Sequence, residues 1–408
     1  MVCSLAYADS EYSSGTTTHN STNPTNWVGN VTIGTETSTA TVILENIGTG
    51  QTGNTIITIN REGTLQWKVN TDTYPLEISA TRPALANPSG SLSIRGTGTF
   101  LLTPSETTNA IFVADAQGGT SLEIAMGVGG TISLDTGATF INGGWQRPTW
   151  TNNYGNLHLN AGSTFNVWDG VMVYVNQLTG TGAVTFYNGG SGLVQRNKDG
   201  MTVGHGGTED FTFDGDVSGD ITITKTGSGT MTFTGTSTNS NSVNKTAAWV
   251  VSEGGLVLDG ASATGKVRVD NGFLGMKGET TVANLELTDN STLQLINTAG
   301  TKMITDLTLG ENLTLDVVLN ETSVDEFLEL LQTTSTVDLS AFTTLRLELP
   351  TGEFWQYGSV VQEALSWSGN ALMLDISVTT RVPEPGTWGM CLLGGLLLFL
   401  RRKFQKRR

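Results

Sequence analysis

The chain has 408 residues, 37 of them acidic and 21 basic; six of the basic ones follow Leu400, so residues 1–400 set 15 positive against 37 negative groups, a formal charge of −22. That balance excludes the basic footprint of a nucleic-acid binder and favours solubility with weak cation association. Only Cys3 and Cys391 are present, near the two ends, which excludes a disulfide framework or cysteine-ligated metal site in the body between them.

Residues 1–8 include Ala6-Tyr7-Ala8, the small-residue pattern that precedes signal cleavage. A basic segment and a long apolar run do not accompany it. The stretch therefore reads as the remnant of a signal peptide whose start lies upstream, and implies export.

Between its two ends the chain is rich in Gly, Thr, Ser and Asn, with almost no helical periodicity. Short alternating pairs recur instead: Ile221/Ile223, Met231/Phe233, Leu256/Leu258, Val267/Val269, Leu285/Leu287, Leu293/Leu295, Leu307/Leu309 and Leu313/Leu315. Alternation at period two predicts strands with one buried and one wet face. Their close spacing fits a solenoid or a set of tandem β-sandwiches.

In chain order, the first segment suited to a ligand is Gly143-Gly144-Trp145-Gln146-Arg147-Pro148-Thr149-Trp150, with Tyr154 close by and Trp168 further on. Aromatic rings on a loop stack on sugar faces while guanidinium and amide groups bond hydroxyls. Trp145, Arg147 and Trp150 are thus the candidate glycan contacts; the competing reading is that these rings anchor the loop. Of the histidines, His19, His158 and His205, the last lies in Gly204-His205-Gly206-Gly207 and reads as a polar turn between rungs. Asp214-Gly215-Asp216-Val217-Ser218-Gly219 opens like a calcium loop, but Lys225 stands where the bidentate Glu belongs. No nucleophile elbow, paired-His zinc helix or phosphate loop occurs, and no cofactor or metal is expected.

The clearest internal repeat runs Gly219-Asp220-Ile221-Thr222-Ile223-Thr224-Lys225-Thr226-Gly227-Ser228-Gly229-Thr230-Met231-Thr232-Phe233, followed by Val250 to Gly260, with weaker echoes at Leu178–Phe186 and Ile94–Leu102. It resembles the autotransporter-associated β-strand repeat, in which strand, Lys-Thr-Gly-Ser-Gly turn and strand build the rungs of a parallel β-helix. The resemblance implies an all-β fold, a right-handed parallel β-helix over residues 9–300. With rungs stacked about 4.8 Å apart, such a rod is roughly 60–70 Å long.

Residues 301–380 read as a small α+β cap over the last rungs. Ser323-Val324-Asp325-Glu326 has the form of a capping box, and Val324, Phe327, Leu328 and Leu331 follow one helical face. Strands are predicted at Leu345–Leu349 and Leu372–Val378.

Residues 381–408 combine Val382-Pro383-Glu384-Pro385, an uncharged run 386–400, and Arg401-Arg402-Lys403 with a second basic group at Lys406–Arg408. As a helix the run spans about 22 Å, short for a bilayer. Trp388 suits one interface and the basic cluster holds the other end in the cytoplasm. Pro383 and Pro385 keep Glu384 extended. These ordered features resemble the PEP-CTERM sorting signal. The resemblance implies exosortase as a processing partner acting at Pro383-Glu384-Pro385, a transient inner-membrane helix, and delivery to the cell surface or extracellular matrix.

The expectation is a non-catalytic adhesin or scaffold associated with exopolysaccharide. The alternatives are a β-helical polysaccharide lyase or glycoside hydrolase, for which a carboxylate pair would suffice, and a carbohydrate-binding module.

Overall fold

The computed structural model describes residues 9–375 apart from 21–26, 28, 46–54, 70–76, 79–90, 105–109, 114, 117–120, 143–148, 169–170, 188–199, 241–246, 320–326, 352–353 and 358–360. It is an all-β structure of long parallel sheets, as a β-solenoid requires. The long face is a 15-stranded sheet. It starts at Gly15–His19 and stays parallel to Phe342–Glu348, where Phe354–Tyr357 joins antiparallel. The parallel part alone is about 60 Å long at ~4.8 Å per step.

Period-two patterning builds this face, because each strand turns alternate side chains inward and like stacks on like. Val42, Leu65, Phe100, Ile132, Leu157 and Leu178 occupy successive register positions. Met231, Leu256, Leu274, Leu293, Leu315 and Leu345 do the same further on. All twelve are buried. Seven of the eight predicted pairs are buried outright, and Leu307/Leu309 pack partly buried against the core. At about 25 cal/mol per Å² of apolar area these columns dominate the favourable energy.

The second face comprises a five-stranded and an eleven-stranded sheet. Residues 149–155 join them: Thr149 pairs with Glu123, Tyr154 N–H donates to the Met126 carbonyl at 2.9 Å, and Asn176 N–H donates to the Gly155 carbonyl at 2.9 Å. Among the described residues a third face spans the middle. It runs through Ala110–Val113, Ala138–Asn142, Thr164–Trp168 and Ala183–Tyr187, then through bridges at Val217 to Ser237. Ser262–Val269 merges it with the second face by pairing with both Thr236–Ser237 and Trp249–Val251, and Thr280–Leu287 and Lys302–Leu309 continue the merged sheet. The register slip between Ala263 and Lys266 lets one strand serve two faces.

The repeat Gly219–Phe233 forms strands Thr222–Lys225 and Thr230–Phe233, on different faces, around the Lys-Thr-Gly-Ser-Gly turn. Gly227 has φ +70°, and a Cβ there would lie 2.3 Å from the carbonyl oxygens of Gly204 and Gly207, so only glycine fits. Lys225 is fully buried. Its Nζ donates to the carbonyls of Thr226 at 2.6 Å, Gly227 at 2.8 Å and Glu253 at 3.4 Å. Burial pushes its pKa down to about 8, against the opposing charges of Glu253 and Asp210.

Carboxylates before the repeat tie successive rungs together. Asp210 accepts from Thr230 N–H at 2.7 Å, Asp214 from Thr234 Oγ1 at 2.7 Å and Asp216 from Thr236 N–H at 2.8 Å. Asp214 and Asp216 of the calcium-like segment therefore serve as rung ties. Among the described residues, no group of three or more His, Cys, Asp or Glu side chains is arranged to hold a metal ion.

The C-terminal region corrects one expectation. Phe327–Thr333 is a strand, not part of an amphipathic helix, and the capping-box residues Ser323–Glu326 lie outside the described residues. A register shift between Glu329 and Leu331 turns both Leu330 and Leu331 inward. That extra residue gives Leu328 and Leu331 the three-residue spacing that reads as a helical face. The strand pairs parallel with Lys302–Leu309 and antiparallel with Ala371–Asp375, which Leu365–Ser368 then flanks, again antiparallel. The expected α+β cap is thus antiparallel strand plus two short helical turns, Leu339–Ala341 and Val361–Ala364. The strands expected at 345–349 and 372–378 correspond to Phe342–Glu348 and Ala371–Asp375.

Candidate functional site

The strongest cluster of exposed chemistry lies where residues 149–155 join the two halves of the second face. Ser91–Gly96 and Ser121–Met126 pair in register, which sets Ser93 beside Glu123 and Arg95 beside Ala125 on the outward side. Ser93 Oγ donates to Glu123 Oε2 at 2.8 Å, and Arg95 Nη2 donates to the same oxygen at 2.9 Å. Arg95 Nε donates to Ser93 Oγ at 2.7 Å. Asn152 Nδ2 closes the other side of the carboxylate, donating to Oε1 at 3.0 Å. The Asn152 amide, then Ser93 and Arg95, hold the Glu123 carboxyl below its ordinary range, outweighing the upward effect of partial burial.

Asn153 fixes this segment from inside. It is fully buried; its Oδ1 accepts from Met126 N–H at 3.0 Å and its Nδ2 donates to the Tyr174 carbonyl at 2.7 Å. The residues on either side, Asn152 and Tyr154, are exposed. Tyr154 is 42% exposed and stacks on His205, with centroids 4.9 Å apart and planes 15° from parallel. Tyr174 packs against the other partner of that stack, 4.9 Å from the His205 ring. His205 Nε2 is buried and unpartnered. Desolvation lowers the imidazole pKa, so the ring is neutral at and above its ordinary range. His205 sits in the polar turn expected of it, and works there as an apolar support for Tyr154.

The structure redistributes the aromatic residues expected to meet a glycan. Trp150 is 1% exposed; its Nε1 donates to Asn142 Oδ1 at 2.8 Å and its ring meets Phe165 edge-on at 5.9 Å. It is a core anchor and, buried, does not serve as the expected glycan contact. Trp145 and Arg147 lie outside the described residues, as do Val382, Pro383, Glu384, Pro385, Trp388, Arg401, Arg402 and Lys403. Trp168 lies in the strand Thr164–Trp168 of the third face. Among the described residues no helix is long and apolar enough to cross a membrane, and 386–400 is not among them.

The remaining histidines serve the fold. His158 bonds Thr179 Oγ1 at 2.9 Å and Asn160 Oδ1 at 3.2 Å on the long face. His19 joins Tyr12 and Trp27 in a cluster of edge-on rings near the first rung. Sequence reading missed Ser93, Arg95, Glu123 and Asn152 as a unit. Ser93, Arg95 and Glu123 carry only period-two placement as a local signal and Asn152 lies in a turn; the register of three rungs brings them together.

No protein-family model matches this chain, and a comparison with curated proteins finds no similar sequence.

Proposed function

We propose that the chain is an exported, non-catalytic scaffold or adhesin of the cell surface or extracellular matrix, sorted through its C-terminal segment and associated with exopolysaccharide. In this reading the rod is a right-handed β-helix. The observation that carries the proposal is the order of three features after the last rungs: Val382-Pro383-Glu384-Pro385, the uncharged run 386–400, and Arg401-Arg402-Lys403. The short run makes a weak anchor, held by the basic cluster on the cytoplasmic side and by Trp388 at the opposite interface. An extended Pro383-Glu384-Pro385 then meets an exosortase-type enzyme, which releases the acidic rod from the inner membrane.

The rod supports a structural role through its construction. Each rung satisfies the backbone of the next, so length and rigidity come without a separate globular core.

The test is fractionation of cells expressing the wild type or a Pro383→Ala, Glu384→Ala, Pro385→Ala triple variant. The expected result is a shorter wild-type product in the surface or matrix fraction and a full-length variant retained in the inner membrane. Identical size and location for both would refute the sorting reading.

A further inference from the structure

We infer that the outward row Arg95–Glu123–Asn152–Tyr154–His205 is a binding site for an uncharged, extended polysaccharide that crosses successive rungs. The inference deepens the proposed association with exopolysaccharide and rests on that part of the reading. It does not depend on how the tail is processed.

The row has the two elements that sugar recognition requires. Tyr154 is one of three large apolar side chains exposed among the described residues, and it is held in place rather than free. His205 backs one of its faces, and Asn153 locks the backbone beneath it through bonds to two neighbouring rungs. A held ring presents a flat apolar surface at little entropic cost, which suits the C–H face of a pyranose. Beside it, Asn152, Glu123 and Arg95 form a bonded line of donors and acceptors. They supply the directional bonds that a sugar's hydroxyl groups take.

Geometry sets the direction of the ligand. The row crosses Ser91–Gly96, Ser121–Met126, residues 149–155, Met172–Val175 and the turn after Gly200–Val203. That is about four rung steps, roughly 20 Å at ~4.8 Å each. The row also advances along the strands, since Thr149 lies opposite Glu123 whereas Tyr154 N–H bonds the Met126 carbonyl, so an extended chain of sugars crosses the rungs obliquely.

Charge sets the class of glycan. Glu123 is ionised and matched by Arg95 at 2.9 Å, so the row is locally neutral. The body around it is strongly acidic, with a formal charge of −22 over residues 1–400. An anionic polymer approaching this surface is repelled, whereas a neutral one is not.

The experiment is isothermal titration of the purified full chain with an uncharged β-linked glucan and with a polyuronate of similar length. The neutral glycan is expected to bind, and the polyuronate to bind at least tenfold more weakly at low salt. Tyr154→Ala is expected to weaken the neutral glycan tenfold or more, while Tyr154→Phe, which keeps the ring, stays within threefold of wild type. Asn152→Ala, at an exposed position, is expected to weaken binding severalfold and gives an independent reading if Tyr154→Ala lowers Tm. Absence of wild-type binding to the neutral glucan, preference for the polyuronate, or unchanged affinity in both Tyr154→Ala and Asn152→Ala would overturn the inference. A normally processed tail with no glycan binding removes this inference alone; a mis-sorted chain that still binds removes the sorting reading alone.

Discussion

Two stretches with the same alternating pattern end in opposite strand directions. Between Thr222 and Asp259 every strand pairs parallel with the rungs before and after it. Between Phe327 and Asp375 the chain reverses, and Ala371–Asp375 pairs antiparallel with both Phe327–Thr333 and Leu365–Ser368. The inward faces are equally apolar: Phe233, Leu256 and Leu258 in the first, Leu331, Leu372 and Leu374 in the second are all buried. Side-chain pattern therefore sets which face is buried but not the direction of travel. Direction is decided at the corners. In the middle, Gly227, Lys225 and the Asp210 to Asp216 ties hold each turn onto its neighbour; at the end, Gly369 with φ +63° forms a tight reversal between Leu365–Ser368 and Ala371–Asp375.

The contrast can be broken most forcefully at Phe233. Its removal in Phe233→Ala empties space shared with Phe213 and Trp249, and should cost about 3–5 kcal/mol in denaturant unfolding. Leu374→Ala is the matching change at the reversed end. Hydrogen exchange should rise there over Leu365–Asp375 while Thr222–Phe233 keeps its protection, because rungs couple only to neighbours. Equal loss of protection in both stretches would show the reversed end to be as interlocked as the middle.

Next in size is Gly227→Ala. Positive φ and the carbonyls of Gly204 and Gly207 both oppose a Cβ, and about 2–4 kcal/mol should be lost. Gly369→Ala has the same sign of φ but open space around the Cβ, so about 1 kcal/mol is expected. Comparing the two midpoints separates backbone strain from crowding.

Lys225→Met should cost about 1–3 kcal/mol at pH 7, because the carbonyls of Thr226 and Gly227 lose their donor. The pH dependence sharpens the point. The folded pKa is lowered to about 8 from an ordinary 10.5, so between those values the unfolded chain holds a proton that the folded chain has released. Stability contributed by this group therefore rises with pH across that window. Thermal melts from pH 7.5 to 10.5 should show a steeper rise in wild type than in Lys225→Met, the remainder coming from Lys302, whose pKa burial also lowers. The smallest effect is expected from Asp216→Ala, about 0.5–1.5 kcal/mol, through the orphaned Thr236 N–H.

The middle of the rod is readable because strands such as Thr222–Lys225, Thr230–Phe233 and Trp249–Val251 alternate buried and wetter positions, and its turn residues are the ones that tight corners need. The reversed end was misread for a local reason: the bulge at Glu329–Leu331 advances the inward side by one residue, and a strand then imitates a helix. Trp150 was misplaced because an aromatic residue in a Gly-rich segment reads as exposed; its burial depends on Asn142 and Phe165, which pack it from the third face. The exposed row was not legible at all. Glu123 and Arg95 are 28 residues apart and meet only because Ser91–Gly96 and Ser121–Met126 align without a slip.

The Asp ties at 210, 214 and 216 each reach a Thr 20 residues further on. Here one rung takes 20 residues, while further on register partners lie 25, 18, 19 and 22 residues apart, so length is edited by whole rungs rather than by a constant count. Excising one complete turn, such as the 20 residues from Phe211 through Thr230, joins equivalent points of adjacent rungs, keeps the inward columns of the long and second faces continuous and removes Val217 from the third. Cutting an odd number of residues inside a strand would instead exchange its dry and wet sides. Spacers of graded length could be made this way from one parent chain.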